Sequence, residues 1–139
     1  MWSAASVLVC ALSMLGRSDR HFHPIAFVDG VPRGGSPSAE AFVTREPDTI
    51  YLVTSAAAFR AVAESRDACG PRAAIAKLAS ILVHEEWHLR HGADERGAYQ
   101  AQLTTLVFLG FDEHSSLYHG VKRAMLSVAA TQQMARAGD

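Results

Sequence analysis

Five consecutive residues carry the chemistry this sequence most directly suggests: His84-Glu85-Glu86-Trp87-His88. They fit the pattern His-Glu-x-x-His. On an α-helix, residues four apart sit one turn above each other on the same face. His84 and His88 can therefore aim both imidazoles at one point, where a zinc ion sits about 2.0–2.1 Å from each nitrogen. Glu85 is next to the first ligand, so its carboxylate reaches the flank of the metal rather than the ion. A base must stand there to take a proton from water, whose pKa a catalytic zinc lowers to about 7.

Two ligands are not enough, because a catalytic zinc normally has three protein ligands and one open position. The third must come from another element, since the helix runs on past the metal. Gly92 is placed to end that helix, and Glu95 follows in the first turn of the next one. Glu95 is the expected third ligand. Asp94 is its nearest rival and fits better as the N-cap of the new helix. His91 shares the face of His84 and His88. Ligands at i, i+4 and i+7 of one straight helix would span about 10 Å, too long for one ion. His91 is thus expected beside the ligands rather than among them.

The elements that must position these residues can be read from the pattern. The longest apolar helical run covers residues 72–90, with Ile75, Leu78, Ala79, Leu82 and Val83 as its stripe and Pro71 in its first turn. A further helix follows to about residue 109, with Leu103, Leu106, Val107 and Phe108 facing inward and Gly110 closing it. A last helix spans residues 115–135, its apolar positions being Leu117, Val121, Met125, Val128 and Ala129. Upstream, residues 4–16 have helical spacing closed by Gly16. Residues 25–28, 39–44 and 49–54 read as short strands, the last two joined by Arg45-Glu46-Pro47-Asp48 as a hairpin. Residues 29–38 hold three glycines and two prolines and read as a loop. Ser55 fits as N-cap of a helix over residues 56–65. The expected fold is one α+β domain over residues 1–139. It has a small antiparallel sheet of about three strands against a helical region.

With the motif and its flanking helices in view, residues 78–109 resemble the core of the gluzincins. These zinc peptidases carry His-Glu-x-x-His on one helix and a Glu ligand on the next. Glu95-Arg96-Gly97-Ala98 is similar to their Glu-x-x-Ala. The resemblance covers about a quarter of the chain, and it is to minimal, single-domain members. It implies a zincin-like fold, one zinc ion held by His84, His88 and Glu95, and Glu85 as general base in cleaving a peptide or protein substrate. It also implies that an edge strand, residues 39–44 or 49–54, pairs with extended substrate. A Tyr or His that steadies the oxyanion is implied too, with Tyr99, Tyr118 and His119 as candidates. Trp87 is expected to pack against the sheet.

Other classes fit less well. The formal net charge of -1 offers no broad basic field for nucleic acid. No run approaches the roughly 20 apolar residues of a membrane span. Residues 1–15 are apolar like a signal peptide but lack a basic start, so an amphipathic first helix is expected, in a soluble protein that is cytoplasmic or exported. Glu85-x-x-His88 also spells a di-iron half-site, but no second copy is present. A non-catalytic metal-binding domain of the same shape is the alternative to an enzyme. His21 and His23 flank Phe22 before the first strand, where histidines are usually surface residues. Cys10 and Cys69 lack metal-ligand spacing and fit one disulfide or two buried thiols.

Overall fold

The helix that carries the motif is buried on more than one side, and the rest of the chain is built around it. In the computed structural model this helix, α3 (Arg72–His91), buries twelve of its twenty residues, from Ile75 to Leu89. Ala76, Ala79 and Ser80 are as completely enclosed as Leu82. These small residues let neighbouring elements approach closely. α1 (Ala4–Leu15), α2 (Ala57–Ala63) and α4 (Glu95–Phe108) all pack on α3, and so do two strands of the sheet. α5 (Ser116–Ala137) packs on α4. The structure describes residues 1–35 and 39–137, and only the backbone of residues 129 and 132–137. Within the expected loop, residues 36–38 lie outside the described residues, as does the side chain of Ala129.

The sheet has three strands, β1 (Ile25–Val28), β2 (Ala41–Thr44) and β3 (Thr49–Val53), in the order β1-β3-β2. β2 and β3 form the expected antiparallel hairpin, pairing Ala41 with Leu52 and Thr44 with Thr49. The sheet as a whole is not antiparallel, because β1 runs parallel to β3, Ile25 pairing with Ile50 and Val28 with Val53. Two features explain this. Thr49, Ile50, Leu52 and Val53 are all buried, so β3 takes the centre. The connection from Val28 to Ala41 is long enough to carry the chain across two strand spacings, about 9.5 Å. β2 therefore starts on the far edge, and the hairpin returns β3 to the middle.

Several boundaries differ from the sequence pattern. α2 begins at Ala57 with Ala56 as a cap that makes no side-chain bond, because Ser55 is used in the tight turn closed by Ala56 N–H on Val53 O. Val107 and Phe108 point outward, Phe108 being 78% exposed. The buried face of α4 is Ala98, Gln102, Leu103 and Leu106, and residues 107 and 108 lie round the helix from it. Cys10 and Cys69 form a disulfide between α1 and the loop before α3. Among the described residues, no helix is long and apolar enough to cross a membrane.

Candidate metal centre

His84 and His88 sit one turn apart on α3, each less than a tenth exposed. The helix ends at Gly92, whose φ of 100° and ψ of -159° suit glycine and no L side chain. Gly92 closes the helix through its N–H on His88 O, and its own carbonyl accepts from His88 Nδ1 at 2.8 Å. Asp94 then caps α4 by accepting from Arg96 N–H at 3.1 Å. This turn brings Glu95 back towards the two rings. Glu95 Oε1 lies 3.5 Å from His84 Nε2 and contacts His88 Nε2 directly.

Ligand atoms of His84, His88 and Glu95 all lie within 4.8 Å of one another, so this group could hold a metal ion. The donor set fits one. Two ligands about 2.0 Å from an ion in tetrahedral array stand about 3.3 Å apart, close to the 3.5 Å between His84 Nε2 and Glu95 Oε1. Both Nδ1 atoms are occupied elsewhere, His84 with Gln102 Oε1 at 2.8 Å and His88 with Gly92 O. Both Nε2 atoms are thus left facing the common point.

The remaining expected residues separate into two groups. Glu85 is buried beside the histidines and lines a cleft of about 1240 Å³, together with His84, His88, Glu95 and Tyr99. Tyr99 stands edge-on to His84, the ring centroids 4.6 Å apart. Tyr118 and His119 meet each other edge-on, and neither lines that cleft. His91 is exposed and stacks on Trp87 at 4.7 Å. Trp87 itself faces α4 rather than the sheet. A Cβ on Gly97 would come within 2.2 Å of its indole, so the missing side chain there is what lets the two site helices close up. His23 is also accounted for. Its backbone N–H and ring Nδ1 both bond the buried Glu86, which ties the entrance of β1 to α3.

Two contributors were not apparent from the pattern. Gln102 lies two helical turns after Glu95 on the same face of α4, in line with Tyr99, and that Glu95–Tyr99–Gln102 spacing was the available signal. Arg45, in the β2–β3 turn, donates from Nη2 to His88 O at 2.8 Å and so ties the hairpin to the end of α3. No sequence signal marks that contact. No protein-family model, curated protein or solved structure matches this chain.

The charges at the site are strongly coupled. Hydrogen bonds that His84 and His88 donate from Nε2 when their rings are protonated hold the Glu95 carboxyl down at about 2, against an ordinary 4.5. The bond to Glu95 pushes His88 above its ordinary 6.5. Burial pushes Glu85 up, while His84 and His88 pull it down. A depressed carboxylate stabilises the fold above its unfolded pKa and loses that contribution as pH falls through the folded one. A raised histidine stabilises below its unfolded pKa and loses the contribution as pH rises through the folded one. In metal-free protein the pair is therefore fully effective between pH 4.5 and 6.5. Thermal melts of metal-free wild type and Glu95→Gln should differ most in that window. The gap should narrow towards pH 2 and on the alkaline side. A gap independent of pH would refute the pairing.

Proposed function

We propose that this chain is a small zinc-dependent peptidase of zincin-like architecture. The observation that carries the reading is the convergence of His84 Nε2, His88 Nε2 and Glu95 Oε1 in a cleft that also holds a buried Glu85. Nitrogen and carboxylate donors in this combination suit zinc. A zinc ion held there supplies a Lewis acid that polarises a carbonyl and lowers the pKa of water to about 7.

The chain's own groups supply the rest. Glu85 takes the proton of the attacking water and passes it to the leaving amine. Burial favours this role, because it pushes the carboxyl up towards the pH at which it must both accept and release a proton. Tyr99 lines the cleft against His84 and is the residue best placed to donate to a developing oxyanion. Of the two strands implied as substrate partners, β3 is paired on both sides, which leaves β2. Residues 39–43 of this edge line the cleft, and an extended peptide adds to such an edge through main-chain hydrogen bonds. A formed Cys10–Cys69 disulfide favours an oxidising compartment.

The test is metal content by mass spectrometry together with cleavage of a mixed peptide library. Wild type should carry one zinc per chain and cut peptides in a chelator-sensitive way. Glu95→Ala should lose both properties. Wild type without stoichiometric metal, or cleavage that survives in Glu95→Ala, would sink the proposal.

A further inference from the structure

We infer that Ser80 and Gln102 are positioning residues that fix the tautomer of His84, through a chain of hydrogen bonds whose direction is set by the backbone of α3. The chain starts at Lys77 O, which can only accept. Ser80 Oγ lies 2.8 Å from it and commits its one proton there. The Ser80 oxygen is then left only as an acceptor, and the group that reaches it, at 3.2 Å, is the Gln102 side-chain amide. An amide can donate only from Nε2, so Gln102 must turn Nε2 to Ser80 and Oε1 the other way. Oε1 is the atom 2.8 Å from His84 Nδ1, and an amide oxygen can only accept. The neutral His84 ring must therefore carry its proton on Nδ1. Its Nε2 lone pair points to where Glu95 and His88 converge.

Burial makes this assignment a constraint. Ser80 is 0% exposed, Gln102 4% and His84 7%, so these groups are largely withdrawn from water. Flipping the Gln102 amide would require Ser80 to withdraw its proton from Lys77 O and His84 to move its own to Nε2, so the three groups change only together. The pair is polar on two helices whose other fully buried side chains include Ile75, Leu78, Leu82 and Leu106. His88 reaches the same tautomer by a shorter route, through the carbonyl of Gly92. The two ligand rings are thus set by separate devices, one on α4 and one in the turn after α3.

The metal arm of the test rests on the zinc reading above; the tautomer arm does not. Ring nitrogen–proton correlation spectra of metal-free protein, recorded at a pH where the spectra themselves show the His84 ring to be neutral, should show it protonated on Nδ1. Ser80→Ala removes one hydroxyl remote from the metal point and frees Gln102 to flip. Its His84 should report a mixture of tautomers. Zinc titration of metal-free protein should show affinity lowered about 10–100-fold in Gln102→Leu. Gln102→Glu, which keeps an acceptor on Nδ1, should stay within about threefold of wild type. If Gln102→Leu does not fold, Ser80→Ala still carries the test. An Nε2-protonated His84 in wild type, or an unchanged spectrum in Ser80→Ala, overturns the inference. A wild type with the Nδ1 proton that binds no zinc overturns the metal reading and leaves the tautomer lock standing.

Discussion

Glu85→Gln should reduce peptide cleavage by about a thousandfold, within the 10²–10⁴ that a positioned acid–base group typically contributes. At about 1.36 kcal/mol per factor of ten, that is about 4 kcal/mol of barrier. Zinc content should not change, because Glu85 is not among the three converging ligands. The metal-free variant should also melt higher than metal-free wild type at neutral pH. The sign follows from the shift. Burial raises the Glu85 carboxyl, so the fold resists its charged form. Stability from such a group is present below its unfolded pKa and is lost as pH rises through the folded one. Glutamine keeps the shape and removes the ionisation. A charge kept where burial opposes it is what the proposed catalytic role asks of Glu85. Three measurements decide the matter: cleavage rate, zinc stoichiometry and the melt. A variant that keeps more than about a tenth of the rate excludes Glu85 as the base, since that is less than the smallest usual contribution. A wild type that holds zinc but cuts nothing makes the domain a binding module.

How much of this site could be read beforehand depended on the range over which each constraint acts. His84, Glu85 and His88 were legible because one helical turn fixes their relation. Glu95 was legible because Gly92 and Asp94 mark a helix end and a helix start, and the reversal between them is local. Gln102 and Ser80 were not. They meet from two helices, 22 residues apart, and each alone reads as an ordinary polar residue inside a helix. The parallel placement of β1 was hidden for a related reason. Nothing within Ile25–Val28 tells which edge the chain takes after its long connection, and the burial demanded by β3 decides it from a distance. Val107 and Phe108 failed differently. They are apolar and adjacent to Leu106, yet the α4 face was already filled by Leu103, Leu106 and Gln102.

The cysteines sit at the far end of that scale, because 59 residues separate Cys10 from Cys69 and no local rule relates them. Their Cα atoms are 5.2 Å apart and the bond is formed. Closing a loop of that length removes chain entropy from the unfolded state worth about 4 kcal/mol. Unfolding entropy of about 2.1 cal/mol/K per residue turns this into a loss of roughly 10–15 °C in Tm on reduction. The folded state should survive the loss. Val7, Ala11 and Leu12 of α1 are buried in the common core, and Trp2 is held separately by Ala63 O and Ser65 O. The candidate metal group, His84, His88 and Glu95, lies on α3 and α4, with no member in α1 or the Cys69 loop. Reduced protein, and the Cys10→Ser variant, should therefore melt earlier in calorimetry while keeping wild-type zinc content and cleavage rate at 25 °C. A reduced melt within about 2 °C of the oxidised one would mean the crosslink adds no stability, because an entropy of that size cannot leave Tm unmoved. Loss of zinc on reduction would show that α1 and the Cys69 loop hold α3 in register for the site, a coupling that the separate anchors of α1 argue against.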